Sequence, residues 1–378
     1  MALTSLDQMV IDQGNGGLRT LMLCKGDLTA LDPSDGVSTI AVSALPGDYS
    51  PAAGSLIGAL AVRGVSVAAQ AANKAASYEA VNPATGAPTM PCWVSQDVSA
   101  AGLNFSRFIL FEPPLPTAAT APTLVQTIFR AVSCFGAPAG SALAVPMVST
   151  GSGGADLLTI LRMLFYAGAH AGAGADWPIT TVKLVVFNDS QAGPAQSAFA
   201  NFRAAYQNPP GSYGGGSTRP PGLTVRQLGC LRGYTGSTYY PVNAALRANN
   251  INDSGFLTYQ PTIEAISSAL GTLPDWTGQA QRGTSLPPAV RPLYTPGAYV
   301  QELSFTSSSS TSPFPGPDLL RINSGDGKSV AAYSLFPSEN EILFDYAMYE
   351  FVNSVDPPPP GRSFAVTVTD FLTNWCNR

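Results

Sequence analysis

The chain has 378 residues, of which 45% are hydrophobic and 11% are charged. This length leaves room for two domains and this composition for two apolar cores, which argues against intrinsic disorder. The net charge of -5 provides no chain-wide basic field. We therefore predict neither a nucleic-acid partner nor attraction to an anionic membrane.

Cysteine and histidine usage argues against metal chemistry. The five cysteines are widely spaced and form no Cys-x-x-Cys pair, and His170 is the single histidine. We expect no disulfide framework and no metal site, and we place His170, which lies in an apolar helical run, in a core or an interface. The chain starts without a signal-peptide pattern, and no run reaches the roughly 18 apolar residues of a membrane span. These features predict a soluble protein.

Strand-like and helical segments alternate from residue 17 to residue 207. The strand-like runs are short and rich in β-branched or aromatic residues, whereas the helical segments are longer and rich in Ala and Leu. The runs predicted as strands are 18–23, 39–44, 105–111, 142–148 and 182–187. The segments predicted as helices are 55–72, 120–134, 156–168 and 195–206. This alternation predicts a three-layer α/β domain, a mostly parallel sheet covered by helices on both faces.

Two strand-to-loop junctions in this half suit a phosphate-bearing ligand. Asp27 follows a glycine shortly after the first predicted strand, and a glycine-rich turn follows the fourth. Backbone amides freed by glycine, next to the start of a helix, attract a diphosphate. The candidate binding residues of the turn are Ser149, Thr150, Gly151, Ser152, Gly153 and Gly154. A plain turn without a ligand is the alternative interpretation.

The two junctions, in this order, resemble those of the macro domain, a module that binds ADP-ribose. The resemblance spans most of residues 17–207 and implies that Asp27 holds the adenine and that 149–154 wrap the diphosphate. Residues 42–46 read Val-Ser-Ala-Leu-Pro where typical members have Asn-Ala-Ala-Asn, and the triple-glycine loop of the family is missing. These differences fall on the ribose end of the site. The resemblance therefore implies binding of ADP-ribose or an ADP-ribosylated protein rather than removal of the modification.

A segment dominated by Gly, Pro and Ser separates the two halves. Residues 208–222 read NPPGSYGGGSTRPPG and show no apolar periodicity. We predict a domain at 1–207, a linker at 208–222 and a second domain at 223–378. Helical segments at 240–249 and 262–270 precede a strand-rich remainder, which predicts an α+β fold for the second domain.

Two glutamates close to the C-terminus point to chemistry at a sugar. Glu339 and Glu341 run into Ile-Leu-Phe, which predicts a strand that turns both carboxylates to one face. Such a pair can divide its work between a developing cation and an incoming nucleophile. A solvated strand edge, kept charged to resist pairing with other chains, is the alternative.

Two further polar clusters precede this pair at intervals that allow one shared site. The first is Arg282-Gly283, and the second is the hydroxyl run that contains Ser307 and Ser309. The ordered set resembles the mono-ADP-ribosyltransferases that carry an arginine, a Ser-x-Ser and a Glu-x-Glu. The resemblance covers about residues 228–370, is most specific at 334–344, and implies the α+β fold of that family. Gln281 stands where members often carry an aromatic or aliphatic residue.

The resemblance implies NAD as co-substrate and no metal. It assigns Glu341 to the ribose 2′-hydroxyl and Arg282 to the diphosphate or the adjoining ribose. Gly283, Ser307 and Ser309 complete the NAD site, with Ser307 also bracing Glu341. Glu339 is assigned to the acceptor, where a glutamate goes with arginine side chains.

The resemblance thus implies a two-domain NAD-dependent arginine ADP-ribosyltransferase whose partner is an acceptor protein with an exposed arginine. We expect it to be cytoplasmic or delivered into another cell as an effector. An NAD glycohydrolase and a catalytically silent nucleotide-binding scaffold remain the alternatives.

Overall fold

A computed structural model describes residues 2–14, 17–81, 88–113, 121–135, 138, 140–148, 150, 154–174, 177–214 and 222–371. The chain divides into two compact units between Ala205 and Tyr206. Within the described residues, no helix combines the length and the apolar character that a membrane crossing needs.

Unit 1 is built on a mixed eight-stranded sheet. Its strands are β1 (Thr4–Asp12), β2 (Leu18–Lys25), β3 (Val37–Ser43), β4 (Ala76–Val81), β5 (Pro88–Val94), β6 (Arg107–Phe111), β7 (Ala142–Pro146) and β8 (Thr181–Val186). They lie in the order β1-β2-β8-β7-β3-β6-β5-β4. The five central strands are parallel, and β1, β5 and β4 run antiparallel to their neighbours. All five runs predicted as strands are part of this sheet, whereas β1, β4 and β5 are additional.

Helices cover both faces of this sheet. They are α1 (Leu56–Val62), α2 (Val67–Ala72), α3 (Ala121–Phe135), α4 (Leu157–Ala173) and α5 (Asp189–Gln207). Residues of α1 and α2 share a core with Ile40 and Phe108, while α4 approaches Leu21 on the opposite face through the bare backbone of Gly168. The predicted helix 55–72 is two helices, because the chain turns at Gly64 and the side chain of Ser66 caps a new helix.

Unit 2 begins with a helical layer. Its helices are α6 (Val225–Gly233), α7 (Tyr239–Arg247) and α8 (Ser254–Thr272), and a π-helical turn, Tyr234–Thr238, joins α6 to α7. The sequence did not predict α6, which starts at a capping box between Thr224 and Gln227.

The described part of the segment predicted as a linker packs against these helices. Thr262 Oγ1 donates to the carbonyl of Pro210 at 2.5 Å, and Thr238 Oγ1 donates to that of Gly211 at 3.1 Å. Residues 209–213 therefore have fixed partners within unit 2.

A seven-stranded sheet completes unit 2. Its strands are β9 (Asp275–Thr284), β10 (Tyr299–Glu302), β11 (Thr306–Ser309), β12 (Asp318–Ser329), β13 (Glu341–Phe344), β14 (Met348–Asp356) and β15 (Phe364–Phe371). They lie in the order β10-β14-β15-β12-β13-β11-β9, and β9 also pairs with β12. Helices followed by strands agree with the α+β organisation predicted for this half. The strands β9, β11 and β13 lie side by side, and this arrangement positions the candidate site.

Candidate active site

A cleft of about 450 Å³ opens in unit 2 between the helical layer and the ends of β9, β11 and β13. Cavities of this size are typical of sites that enclose small molecules and cofactors. Five of the residues predicted from the sequence line it: Arg282, Gly283, Ser307, Glu339 and Glu341.

Strand register explains why residues far apart in sequence meet here. Ser309 of β11 pairs with Glu341 of β13 on one side and with Gln281 of β9 on the other. Arg282 therefore follows directly after Gln281 on β9. Ser307 lies two positions before Ser309 on β11. Because alternate residues of a strand share a face, Ser307 and Glu341 are directed to the same side of the sheet. Arg282, next to Gln281, belongs to the other side by the same rule, yet it also lines the cleft.

The two glutamates reach the cleft by a route that differs from the predicted one. The expectation of a continuous strand through Glu339 and Glu341 is wrong: 337–339 form a 3-10 turn, and β13 begins at Glu341. Asn340 between them is left-handed, with φ 47°, a conformation that Asn tolerates better than most residues. A turn rather than the pleat of a strand thus presents Glu339, which is exposed, while Glu341 is buried. A solvated strand edge does not describe Glu341, which is 3% exposed.

Burial dominates the electrostatics of Glu341. It raises the pKa of this carboxyl to about 7, the hydrogen bond from Ser307 opposes the rise, and the nearby charge of Glu339 adds to it. Ser307 also hydrogen-bonds Tyr234, whose hydroxyl accepts from Asn243 Nδ2 at 3.0 Å. Glu341 is therefore held by a chain of buried polar groups and is poised to gain or lose a proton near neutral pH.

Arg282 is fixed at one end of its guanidinium. Its Nη1 donates to Thr306 Oγ1 at 2.8 Å and faces Glu302 Oε2 at 3.4 Å. Both partners lie on strands of the same sheet, so the planar fork of Arg282 is held at the cleft wall.

Gly283 and Ser309 contribute in ways that the sequence did not predict. A Cβ at Gly283 would lie 1.6 Å from the carbonyl oxygen of Phe314, so this glycine permits the close approach of a loop that lines the cleft. Ser309 is buried and is not part of the lining. Its hydroxyl donates to the carbonyl of Glu339 at 2.7 Å, which ties the 3-10 turn to β11.

One face of α7 supplies cleft residues that were not predicted as site residues. Tyr239, Asn243 and Arg247 line the cleft and follow one another at intervals of four residues. This spacing places them on one side of a helix, and it is the signal by which they could have been found. Phe336, in the turn before β13, is a further lining residue.

The residues predicted to bind a nucleotide in unit 1 are only partly described. Asp27 follows β2 and accepts from the amide and the hydroxyl of Thr29, both at 2.8 Å. Thr150 Oγ1 donates to the carbonyl of Met147 at 2.8 Å, and Gly154 is left-handed with φ 65°. Because β2 and β7 are parallel and flank β8, Asp27 and Thr150 both lie beyond the carboxyl ends of these strands. Ser149, Gly151, Ser152 and Gly153 lie outside the described residues.

The described part of the chain contains no group of three or more His, Cys, Asp or Glu side chains that could hold a metal ion. His170 is exposed on α4 of unit 1, so the expectation of a core position is wrong and an interface position stays a prediction.

Comparison with known proteins gives two relatives, and the names of both state an arginine ADP-ribosyltransferase activity. No family model matches the chain. A 143-residue stretch, 36% of the chain, is 36% identical to Mav of Mycobacterium avium (strain 104), named as an NAD(+)-arginine ADP-ribosyltransferase, and covers 17% of that protein. A 140-residue stretch, 35% of the chain, is 29% identical to the NAD(+)-protein-arginine ADP-ribosyltransferase Tre1 of Serratia proteamaculans (strain 568) and covers 30% of it.

Among solved structures, the ADP-ribosyltransferase Vis of Vibrio splendidus in complex with agmatine matches with 21% identity and a TM-score of 0.34. That match covers 40% of this chain and 76% of Vis. The chain spans less than a third of the length of Mav and of Tre1. Its sequence similarity to proteins named as arginine ADP-ribosyltransferases is confined to a segment.

Proposed function

We propose that unit 2 is an NAD-dependent mono-ADP-ribosyltransferase that modifies arginine side chains of an acceptor protein. The observation that carries the proposal is the meeting of Arg282, Ser307, Glu339 and Glu341 in one cleft. The similarity to Mav and Tre1, whose names state this activity, supports it.

The reaction breaks the bond between nicotinamide and ribose and develops positive charge on the sugar. The bonding electron pair leaves with nicotinamide, and ionised Glu341 stabilises the cation through the ribose 2′-hydroxyl without attacking it. Because Glu341 is buried, its charge acts on the ribose with little screening by water. Ser307, which hydrogen-bonds Glu341, holds this carboxylate in place.

The remaining groups bind the two substrates. Arg282 offers a rigid fork of donors to the diphosphate of NAD, a geometry that lysine does not provide. Glu339, exposed on its turn, attracts the protonated guanidinium of the acceptor and takes its proton as the new bond forms between the guanidino nitrogen and C1′ of the ribose.

Two variants test the division of work between the glutamates. Glu341→Gln is expected to lower both transfer and NAD hydrolysis by at least about 100-fold, the scale of losing a charge that stabilises a transition state. Glu339→Gln is expected to suppress transfer to arginine while hydrolysis persists. Nicotinamide release and the intact mass of an arginine-rich test protein measure the two activities, and a lysine-rich protein serves as control.

Each outcome distinguishes the candidate functions. Nicotinamide release without a mass gain on any acceptor would identify an NAD glycohydrolase. Absence of release by the unmodified protein would leave a nucleotide-binding scaffold. Equal loss of both activities in Glu339→Gln would contradict the separate role of Glu339.

We also propose that unit 1 binds ADP-ribose or an ADP-ribosylated protein in the manner of a macro domain. Two observations support this proposal: the central strands are parallel, and Asp27 and Thr150 lie beyond their carboxyl ends. Ligands of such sheets bind outside the carboxyl ends of the strands.

Calorimetry with ADP-ribose on the full chain tests the second proposal. Binding that is lost in Asp27→Ala but kept in Arg282→Ala would assign the site to unit 1. Heat that disappears only in Arg282→Ala, or no heat at millimolar ADP-ribose, would overturn it.

A further inference from the structure

Two arginines of the cleft are connected, through its wall, by one carboxylate. Arg282 and Arg247 both line the cleft. Arg282 Nη1 faces Glu302 Oε2 at 3.4 Å. Arg247 Nη1 donates to Ser304 Oγ at 3.2 Å, and Ser304 Oγ in turn donates to Glu302 Oε1 at 2.9 Å. Each oxygen of Glu302 therefore serves a different arginine.

The parts of this connection are held rigidly. Glu302 is the last residue of β10, and Ser304 is fully buried and also donates its backbone amide to Glu302 Oε1 at 3.3 Å. Thr306, equally buried, holds Arg282 from the other side. Glu302 itself does not belong to the cleft lining. The contacts of its carboxylate with the cleft residues are those that lead to the two arginines.

The arrangement matches the chemistry of a diphosphate. Each phosphate of NAD carries one negative charge, and a guanidinium binds such an oxyanion through two donors in a fixed plane. Two guanidiniums repel each other before the ligand arrives, and a carboxylate between them reduces that repulsion and fixes their separation. The group of Arg247, Arg282 and Glu302 keeps a net positive charge toward an anionic ligand.

We propose that Glu302 is a positioning residue that holds Arg247 and Arg282 as a paired clamp for the diphosphate of NAD, with Ser304 relaying its charge to Arg247. The inference rests on the proposed function of unit 2. It assigns Arg247 as a second diphosphate-binding residue, on α7 rather than on the sheet.

Removal of the Glu302 carboxylate distinguishes a positioning role from simple charge balance, because the two roles predict opposite changes in the KM for NAD. If Glu302 only offset positive charge, Glu302→Ala would expose two cations and lower the KM for NAD. If Glu302 positions the arginines, the KM rises by about ten-fold, the effect of losing one charge-assisted hydrogen bond, while kcat changes less.

The experiment measures nicotinamide release against NAD concentration in the full chain. Glu302→Ala and Ser304→Ala are both expected to raise the KM, the second by a smaller factor because only the contact to Arg247 is lost. Arg247→Ala raises the KM as well. In the Arg247→Ala background, Ser304→Ala has no further effect, because the two groups act as one unit.

Asp356→Asn is the matched control. Asp356 forms an ion pair with Arg321 at 3.0 Å in the same sheet, with a similarly exposed side chain, but it is not part of the cleft. Its substitution should leave the KM unchanged. Circular dichroism of all variants verifies that they are folded.

The outcomes separate failure of the inference from failure of the proposed function. No nicotinamide release by the unmodified protein overturns the proposed function. An active unmodified protein whose KM is unchanged or lowered in both Glu302→Ala and Ser304→Ala overturns the positioning role alone. If Glu302→Ala does not fold, Ser304→Ala decides by itself, since it removes a single oxygen.

Discussion

In the proposed reaction, Glu341 must combine two properties that oppose each other, burial and a negative charge. Burial strengthens its action on a developing cation but also raises its pKa to about 7. The side chains that touch or face this carboxyl act in opposite directions: Ser307 favours the charged form and Glu339 disfavours it. The protonation state of Glu341 therefore depends on its immediate neighbours as well as on solvent pH.

We predict that kcat/KM for NAD falls about ten-fold for each pH unit below the pKa of Glu341, because only the ionised carboxylate stabilises the ribose cation. Nicotinamide release between about pH 5 and pH 9 measures the profile. Its inflection in the unmodified protein should lie near pH 7, where the structure places the pKa of this group.

Two variants should move that inflection in opposite directions. Glu339→Gln removes a negative charge and should lower the pKa of Glu341, so hydrolysis persists to lower pH. Ser307→Ala removes a hydrogen bond to the charged form and should raise it. A profile that stays in place in both variants would show that another group controls the pH dependence.

At the scale of the elements, the cleft depends on a close approach between β9 and the loop at 314–316. The carbonyl of Phe314 occupies the space where any residue other than glycine at 283 would place its Cβ. Phe314 and Pro315 line the cleft, so the backbone of Gly283 sets the position of one wall.

We predict that Gly283→Ala displaces this loop. The overlap is with backbone, which does not yield as a flexible side chain does, so we expect the variant to lose about 1–3 kcal/mol of stability and to bind NAD more weakly. Chemical denaturation and the KM measure the two effects. Gly325→Ala is the control within the same sheet, because a Cβ there has ordinary contacts only. Equal behaviour of the two variants would refute the role of the close approach.

Elements differ in how far local sequence determines them. The central strands of unit 1 were predictable because parallel strands covered on both faces need continuous apolar runs. Helix α6 was missed because it contains glycines, and Gly233 is required by packing on the carbonyl of Gly211, a contact distant in sequence. The turn at 337–339 was missed because a Glu-x-Glu pattern before an apolar run fits a continuous strand as well as it fits a turn followed by a strand.

At the scale of the whole molecule, the sequence allowed the residue types of the candidate site and their order to be predicted, but not how these residues come together in space. The strands that carry Arg282, Ser307 and Glu341 come together through their pairing, and pairing depends on turns and packing that a local pattern does not contain. Arg247 and Glu302 lay outside the predicted site for the same reason. Their connection through Ser304 exists only in three dimensions.

Unit 2 also buries an acid that the proposed reaction does not use. Glu350 is completely buried and accepts from Tyr294 Oη at 2.9 Å. Its pKa is raised to about 7, chiefly by burial and then by the charge of Glu302. The folded protein therefore binds a proton more tightly at this position than the unfolded chain does.

We predict that this carboxyl lowers stability as the pH rises from about 4.5 to about 7, because the folded state must release a proton that the unfolded state has already lost. Glu350→Gln should make unit 2 more stable at pH 8 by up to roughly 3 kcal/mol and leave it nearly unchanged at pH 4. Chemical denaturation at the two pH values measures the difference.

Asp356→Asn should show the opposite sign. The pKa of Asp356 is lowered, mainly by its hydrogen bond from Thr367, so its charged form stabilises the folded state above the unfolded pKa. The variant should therefore lose stability at pH 8. A Glu350→Gln variant that is less stable than the unmodified protein at pH 8 would contradict the predicted sign.

The left-handed residue between the two glutamates has a consequence for how the protein could be re-engineered. Because the chain changes direction at Asn340, the first acid belongs to a surface turn and the second to the interior of a sheet. In the proposed reaction, substitutions confined to 336–339 should therefore change which acceptor side chain is modified while Glu341 keeps its position in β13, and they should act on NAD cleavage mainly through the charge that Glu339 exerts on Glu341. Substitutions in this turn that keep a negative charge at position 339 should then alter the choice of acceptor with little change in the pH profile of NAD cleavage.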